Sequence, residues 1–285
     1  MIKLSAFADE YSDKLDEQIE GLKKNGISYL EIRFVDGISI IDLTEEQAKG
    51  YAARLDAAGI KVWSIGSPVG KYDINIDWDE YTAKVHHICK LAQIFSCPRI
   101  RMFSFFNAYE NAERVCELLR ETVRIGNMYG IDMCHENEKD IYGDVADRVL
   151  VLRDHVPGLK FVYDPANFAQ CNQDCMEAMD KLFDLCEYFH IKDVDIATGA
   201  LVPAGCGDCR IDNLVSRIQK DTVLTIEPHL AVFSAYNSID TTEMKHRYCY
   251  ESNQDAFNAA VAAIKKILND CGYKEENGAF VKENV

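Results

Sequence analysis

The sequence predicts an α/β protein, a closed (β/α)8 barrel of eight parallel strands and eight helices. Short apolar runs alternate with helical patterns along 285 residues, and about 250 residues is typical of this fold. No Pro/Gly/Ser-rich linker interrupts the alternation, so we predict one domain over residues 1–285. An open doubly wound sheet is the competing architecture, but eight alternations at this length favour closure.

Each strand is predicted from a short apolar run, the pattern of a parallel sheet that is buried on both faces. The runs cover residues 2–7, 28–34, 61–66, 99–105, 131–136, 160–164, 188–192 and 222–227. The first helix is predicted from the 3.6-residue spacing of Leu15, Ile19 and Leu22. A capping box at Thr44 begins the second helix, and Gly59 ends it. The later helices are predicted around 85–91, 110–128, 142–155, 173–185, 211–219 and from about 254.

The composition excludes several classes of protein. Hydrophobic residues make up 48% and charged residues 27%, as in ordinary globular domains, and no run approaches the roughly 18 apolar residues of a membrane span. A net charge of −16 repels phosphodiester backbones, so we expect no nucleic-acid partner. It does not exclude a small anionic substrate held by a local cluster of Lys and Arg. Eleven cysteines without scaffold spacing, and an N-terminus unlike a signal peptide, favour the cytoplasm.

Four successive runs end on a residue that can bind a divalent metal ion: Glu136, Asp164, His190 and Glu227. Because the carboxyl ends of barrel strands meet at one face, these side chains should converge. Three carboxylates and an imidazole would form an oxygen-rich site for one divalent ion, Mn²⁺ or Mg²⁺ first, with Co²⁺, Fe²⁺ or Zn²⁺ as alternatives. Alternatively, strand-end carboxylates form ion pairs or cap the following helices.

Short motifs along nearly the whole chain carry a resemblance to a known family. They are Phe7-Ala8-Asp9-Glu10, residues 26–33, 67–71 and 101–106, Glu136-Asn137, Tyr163-Asp164-Pro165-Ala166-Asn167, His190-Ile191-Lys192-Asp193 and Ile226-Glu227-Pro228-His229. As an ordered set they resemble the xylose isomerase-like TIM-barrel superfamily, in its sugar phosphate isomerase/epimerase branch. In that family a Glu, an Asp, a His and a Glu after strands five to eight hold the metal. The resemblance therefore implies the same four ligands.

The resemblance also implies a reaction and a substrate class. The expected reaction is proton abstraction next to a carbonyl of a sugar or sugar phosphate, through an enediolate. Glu136 and Glu227, on strands far apart around the rim, would be the acid/base pair as well as ligands. The expected partner is a small sugar or sugar derivative, and a homo-oligomer is compatible with the sequence.

Several alternatives to an isomerase or epimerase stay open. The runner-up is a metal-dependent lyase or dehydratase acting on a keto-sugar, inosose or keto-glycoside, and a remote alternative is a non-catalytic sugar-binding barrel. A nuclease like endonuclease IV would need more than the seven histidines present. Relatives of the tagatose-epimerase type have a His and an Arg where this chain has Asn167 and Ile196, which argues against a free ketohexose of that type.

Other polar residues are predicted to face the barrel mouth. Lys192 and His229 share strand parity with His190 and Glu227, so Lys192 contacts a substrate oxyanion or phosphate, or pairs with Asp193. Glu31 and Arg33 share a face on strand two and form an internal ion pair or contact substrate. The full set of predicted substrate-binding residues is Lys192, Asn167, His229, Arg101, Lys71 and Glu31.

Two further segments are interpreted from their composition. The long stretch between Glu227 and the last helix is predicted to cover the substrate; its candidates are His229, Phe233, Tyr236, Lys245, His246, Arg247 and Tyr248. Cys206 and Cys209 have the C-x-x-C spacing but no second pair, so we interpret them as reduced loop cysteines. His135 should turn to the strand face opposite Glu136.

Overall fold

Eight parallel strands close into a barrel in the computed structural model, which describes residues 1–236, 243–245 and 247–282. The strands are β1 Ile2–Ala6, β2 Tyr29–Ile32, β3 Lys61–Gly66, β4 Arg99–Met102, β5 Asp132–Glu136, β6 Lys160–Tyr163, β7 Cys186–Ile191 and β8 Thr222–Ile226. Neighbours in sequence are neighbours in the sheet, and β8 also pairs with β1, from Thr222 opposite Ile2 to Ile226 opposite Ala6. The predicted TIM barrel is confirmed.

Helices surround this barrel, and each strand is followed by one. They are α1 Leu15–Lys24, α2 Glu45–Ala58, α3 Trp78–Ile94, α4 Ala112–Tyr129, α5 Ala146–His155, α6 Cys175–Leu182, α7 Ile211–Arg217 and α8 Asn253–Asp270, with a short helix Pro165–Gln170 before α6. The capping box of α2 is present, with Gln47 N–H donating to Thr44 Oγ1 over 3.2 Å. Gly59 ends α2 with a φ of 75°. None of the described helices is long and apolar enough to cross a membrane.

The described residues form three hydrophobic clusters, and the smallest of them contains Phe233, Tyr236 and Met244 after β8. A large apolar layer fills the space between the strands and the helices, from Ile2 in β1 to Leu268 in α8. A smaller cluster of Cys134, Val162, Tyr188 and Val223 lies within the barrel. Along β5 to β8, the side chains that face the inside of the barrel are therefore mostly apolar in the middle of the barrel. At the carboxyl ends of the strands they are the candidate metal ligands.

Two strands end two or three residues before the predicted carboxyl ends, and the others end within one residue of them. The run 28–34 leaves the barrel after Ile32 because Phe34–Val35 pairs with Ile38–Ser39 in a hairpin. The run 99–105 ends at Met102, since Phe105 takes a φ of 72° and donates its N–H to Gly70 over 2.7 Å. After these two strand ends, the chain continues into loops that surround the mouth of the barrel.

A C-terminal hairpin was missed by the periodicity argument. Tyr273–Glu276 pairs with Ala279–Lys282, and Phe280 also pairs with Ile2 of β1. Asn277 and Gly278 connect its strands with φ values of 52° and 77°, the conformation for which Asn-Gly is preferred. The Asn-Gly dipeptide was therefore the feature of the sequence from which this hairpin could have been predicted.

Gly70 brings two loops at the barrel mouth into close contact. It has a φ of 86°, and a Cβ there would lie 2.1 Å from the Phe103 carbonyl oxygen. Phe103 N–H donates to Val69 O over 2.8 Å. Only glycine permits this approach between the two backbones.

We predict that Gly70→Ala lowers the free energy of unfolding by about 1–3 kcal/mol more than Gly37→Ala, because it adds overpacking. Gly37 is a matched control, with a φ of 77° and no atom within 4 Å of the point that a Cβ would occupy. Both variants therefore incur left-handed strain of about 1–2 kcal/mol. Urea unfolding measures both; equal losses would contradict the close contact at Gly70.

Candidate metal centre

The four predicted ligands meet at one end of the barrel. Glu136 ends β5, Asp164 follows β6, His190 lies near the end of β7 and Glu227 follows β8. One ligand atom from each lies within 4.8 Å of the others, and all four residues are buried. The structure thus brings together the residues that the sequence singled out.

His190 occupies the middle of this group. Its Nδ1 lies 3.0 Å from Glu136 Oε1 and 3.2 Å from Glu227 Oε2. Its Nε2 lies 3.2 Å from Glu31 Oε2 on the other side of the ring. Although burial opposes the charged ring, the carboxylates of Glu136 and Glu31 raise the pKa of His190 well above its usual range. Nδ1 therefore faces the ligand carboxylates, and Nε2 faces Glu31.

Each ligand carboxylate has a cationic partner. Lys192 Nζ lies 2.7 Å from Asp164 Oδ2, Arg33 Nη1 lies 2.7 Å from Glu227 Oε1, and Arg101 Nε lies 3.0 Å from Glu136 Oε2. Burial raises the pKa of Asp164 to about 6, although Lys192 opposes this shift. The pKa of Glu227 is held well below its usual range, because Lys192 and His190 outweigh the effect of burial.

The predicted alternative for Lys192, a salt bridge to Asp193, is wrong. The Asp193 carboxylate accepts N–H bonds from Gly205, Gly207 and Cys209 over 2.8, 3.1 and 3.0 Å. These bonds hold the loop after β7, which carries exposed Cys206 and buried Cys209 as free thiols. Lys192 is left to pair with Asp164.

The donor atoms fit a divalent cation. Asp164 caps the helix Pro165–Gln170 through Oδ1, which accepts from Asn167 N–H over 3.0 Å. Its Oδ2, like Glu227 Oε2, accepts no well-aligned hydrogen bond from the described residues. These two oxygens face Lys192 Nζ and His190 Nδ1, at 2.7 and 3.2 Å, so a divalent cation could take over the charge compensation that these groups provide. The predicted helix cap and the predicted ligand role use different oxygens of Asp164.

Asn137 and Asn167 hold the ligands in position. Asn137 accepts from Asp164 N–H over 2.9 Å and donates to Asp164 O over 2.8 Å. Asn167 Nδ2 lies 3.3 Å from Glu136 Oε1 and donates to Asn137 O over 2.9 Å. Asn167 is buried, and its described contacts are with ligands and backbone. Asn167 therefore supports the ligands in this structure, and its predicted contact with substrate stays a prediction.

Glu31 is also a support residue in the structure. It is fully buried, and its Oε1 accepts from Tyr188 OH over 2.8 Å. Tyr188 OH is itself 3.1 Å from Ser64 Oγ. Glu31 forms an internal ion pair with His190, and its predicted contact with substrate stays a prediction. Second-sphere carboxylates of this kind orient metal-binding histidines.

Arg33 forms internal ion pairs, but with acids other than Glu31, its neighbour on the same strand face. Arg33 Nε lies 2.9 Å from Asp9 Oδ2, and Arg33 Nη2 lies 3.6 Å from Glu10 Oε1. The same guanidinium pairs with Glu227. Glu10, Glu227 and His229 also offer ligand atoms within 4.8 Å of one another, but Arg33 already supplies a cation there. Asp9 and Glu10 follow β1, so the strand-end signal could have found them.

His229 is buried at the edge of this group. Its Nε2 lies 3.4 Å from Glu10 Oε1 and 3.6 Å from Glu227 Oε1. Burial lowers the pKa of His229 to about 4, although Glu227 opposes this shift, so its ring is neutral near pH 7. Its ring packs against Phe233 and Tyr236, with centroids 5.5 and 5.7 Å away.

The predicted substrate cover is described only in part. Phe233 and Tyr236 are buried, and the Phe233 ring centre lies 5.4 Å from the Arg33 guanidinium carbon. Arg247 pairs with Asp195 over 2.7 Å, and Tyr248 is exposed. The predicted contribution of His246 lies outside the described residues.

A cavity of about 530 Å³ lies between the loops that follow β2, β3 and β4. Its lining includes the cationic residues Arg33, Lys71 and Arg101. Lys71 Nζ pairs with Glu138 over 3.0 Å. Because Arg33 and Arg101 contact Glu227 and Glu136, the cavity adjoins the ligand group, and Lys71 and Arg101 are placed where a substrate could reach them.

His135 faces away from the ligands, as strand alternation predicts. Its Nε2 lies 2.9 Å from Ser104 Oγ, and its ring packs edge-on to Phe161. Burial lowers the pKa of His135 to about 3. It is therefore a neutral residue of the layer between strands and helices.

We predict that Asp164→Asn weakens Mn²⁺ binding by more than about 100-fold, because second-sphere changes alone cost about 10–100-fold. Asp9→Asn is the matched control, since Asp9 is also buried and paired with a cation but lies outside the ligand group. Isothermal titration calorimetry measures both affinities. Equal losses would show that Asp164 is not a ligand.

Glu31→Gln should weaken Mn²⁺ binding by about 10–100-fold, the range for second-sphere partners, because it removes the acceptor that orients His190. Tyr188→Phe should have a smaller effect in the same direction. The visible absorption spectrum of the Co²⁺-loaded protein should also change in Glu31→Gln. Unchanged affinity and spectrum would rule out this supporting role.

Known proteins share this architecture. The family model for the xylose isomerase-like TIM barrel matches residues 19–242. No functionally curated protein matches the sequence.

Three solved structures illustrate the range of similar proteins. L-ribulose 3-epimerase has a TM-score of 0.73 and 15% identity, with 95% of this chain and 96% of that chain covered. The probable 3-DHS dehydratase AsbF from Bacillus anthracis has a TM-score of 0.71 and 16% identity, with 92% and 98% covered. The IOLI protein, solved with a zinc atom, has a TM-score of 0.71 and 15% identity, with 94% and 98% covered. From the family match over most of its length, the chain belongs to the xylose isomerase-like TIM barrel family.

Proposed function

We propose that the protein is a divalent-metal-dependent sugar isomerase or epimerase. The observation that supports this most is the buried group of Glu136, Asp164, His190 and Glu227, whose ligand atoms lie within 4.8 Å of one another. The similar structures include a sugar epimerase, which is consistent with this reaction class. Mn²⁺ and Mg²⁺ suit the oxygen-rich ligands best.

The four residues would hold the ion through three carboxylates and His190 Nδ1. When bound, the ion would supply Lewis-acid polarisation of the substrate carbonyl, which makes the neighbouring C–H more acidic. This matters because a carboxylate with a low pKa is a weak base. The pKa of Glu227 already lies well below its usual range, so the acidity of the substrate must provide much of the driving force.

Glu136 and Glu227 are the proposed acid/base pair. Both have an oxygen near His190 Nδ1, at 3.0 and 3.2 Å, and they approach it from strands that are separated by β6 and β7. One carboxylate can therefore remove a proton from one face of a bound substrate, and the other can return a proton to the opposite face. This exchange of faces inverts the stereocentre through an enediolate.

The neighbouring cations would fix these two carboxylates. Arg101 pairs with Glu136, and Arg33 pairs with Glu227. The guanidinium carbon of Arg33 also lies 4.2 Å from the centre of the Phe7 ring. Such fixed positions matter because acid–base catalysis depends on geometry before pKa. Lys192 next to Asp164 could stabilise negative charge that develops on substrate oxygen.

The reaction class can be tested with the Mn²⁺-loaded protein in heavy water. Ketoses, their phosphates, inososes and 3-keto-glycosides are incubated and followed by mass spectrometry. Deuterium incorporation without loss of mass from the carbon skeleton supports an isomerase or epimerase. Loss of water or of an aglycone identifies the lyase that is the runner-up, and no reaction with any compound contradicts both.

We predict that Glu136→Gln and Glu227→Gln each lower kcat by at least about 100-fold at full Mn²⁺ occupancy, the usual scale for one acid–base group. Glutamine keeps the shape and one oxygen but removes the basic carboxylate. Each variant should lose deuterium exchange mainly from one of the two epimers.

Glu187→Gln is the control for this experiment, because Glu187 lies on β7 at the opposite end of the barrel and pairs with Lys160. It should retain exchange from both epimers. Mild and equal losses in Glu136→Gln and Glu227→Gln at full occupancy would mean that the base lies elsewhere.

A further inference from the structure

We infer that this site takes an uncharged polyhydroxy carbonyl compound and discriminates against its phosphate monoester. The inference rests on the proposed function and narrows its substrate class. Two independent observations carry it: the charge balance around the ligands, and the occupation of the loop after β7 by an internal carboxylate.

The first observation concerns the residues joined to the ligands by ion pairs, here called the central cluster. It contains the acids Asp9, Glu10, Glu31, Glu136, Asp164 and Glu227, the cations Arg33, Arg101 and Lys192, and the histidines His190 and His229. All are buried. Without an ion, the raised pKa of His190 favours its charged form, and six carboxylates then exceed four cations by two charges. With His190 neutral, as a metal ligand must be, six carboxylates exceed three cations by three charges.

A bound divalent ion reduces this excess to one negative charge. In neither state does the central cluster carry a net positive charge. A dianionic phosphate entering it would therefore meet no electrostatic attraction, and buried charge without compensation is strongly unfavourable.

Among the residues that the structure describes, the cavity next to the central cluster adds no unpaired cation to this charge balance. Of its three cations, Arg33 and Arg101 belong to the central cluster, and Lys71 is paired with Glu138. The cavity wall also includes Asp42. Residues 237–242, 246 and 283–285 contain no Lys or Arg, so the segments outside the described structure add no permanent cation.

The second observation concerns the place where this fold usually binds phosphate. In TIM barrels, phosphate sites are frequently built from the loops after strands seven and eight. Here the N–H groups of Gly205, Gly207 and Cys209 point at one anion, which is the Asp193 carboxylate. A Cβ on Gly207 would lie 2.3 Å from Asp193 Oδ1. The loop is thus closed around an acid of the chain itself.

An uncharged sugar is not repelled by the negative charge of the central cluster, and it does not need the N–H groups that bind Asp193. Its hydroxyl groups can accept hydrogen bonds from Arg101 and Lys71 at the cavity wall without adding charge. They can also donate to carboxylates, which a phosphate dianion cannot do at neutral pH. The excess of acceptors in the central cluster therefore matches a ligand that is rich in O–H donors.

Paired ligands test the inference directly. The Mn²⁺-loaded protein is given D-fructose, D-xylulose and D-ribulose, each beside its terminal phosphate, and deuterium exchange is measured. We expect kcat/KM to be at least about 10-fold higher for a neutral ketose than for its phosphate, a difference of about 1.4 kcal/mol. A phosphate that reacts as well as or better than its neutral partner would overturn the inference.

Binding of inorganic phosphate provides a readout that needs no turnover. By calorimetry, the Mn²⁺-loaded wild type should bind phosphate with a Kd weaker than about 10 mM. Glu138→Gln removes a negative charge next to Lys71 and the cavity, so it should tighten phosphate binding by at least about 10-fold. Glu187→Gln makes the same charge change at the other end of the barrel and should have no such effect.

The outcomes separate the inference from the proposed function. A wild-type Kd for phosphate below about 1 mM, or no gain from Glu138→Gln, overturns the charge argument whether or not any sugar reacts. If no ketose exchanges deuterium in either form, the proposed reaction is wrong, and the phosphate titration still decides the charge selectivity.

Discussion

Three carboxylates buried within a few ångströms of one another repel, and the carboxyl end of this barrel is arranged around that repulsion. Glu136, Asp164 and Glu227 each lie against a separate cation, and His190 lies between two of them. Uncompensated buried charge is among the most costly features that a fold can contain. The neighbouring residues therefore make the ligand group compatible with folding before any ion binds.

This compensation explains why several predicted substrate-binding residues, among them Arg101, Glu31 and Lys192, have charged partners inside the protein. Sequence reasoning located Glu136, Asp164, His190 and Glu227 because each ends an apolar run, and the ends of parallel strands converge. It could not assign partners, since Arg33 and Glu227 are far apart in sequence and meet only through closure of the barrel. Strand parity correctly placed Lys192 in the mouth, but it could not show that the Asp193 carboxylate was already engaged by a loop.

The same contrast holds for the fold. Alternation of apolar runs and helical spacing identified all eight barrel strands, because burial on both faces leaves a strong local signal. The strand ends were less well predicted, since they depend on contacts between loops. Phe105 leaves the strand direction because of its bond to Gly70, and nothing in its own segment indicates that bond. The C-terminal hairpin had a local signal in Asn277-Gly278, which a search for barrel periodicity does not use.

Closure of the barrel has a consequence for how the chain reaches this structure. The ladder between β1 and β8 pairs Ile2 with Thr222 and Ala6 with Ile226. The first strand therefore pairs with a strand that lies more than two hundred residues later in the sequence. Contacts of such long sequence separation slow folding, because the chain must lose loop entropy before it gains stabilising contacts. During synthesis β1 would remain without this neighbour until β8 has emerged. The ligand group, which needs Glu227 from beyond β8, would thus be among the last features to form.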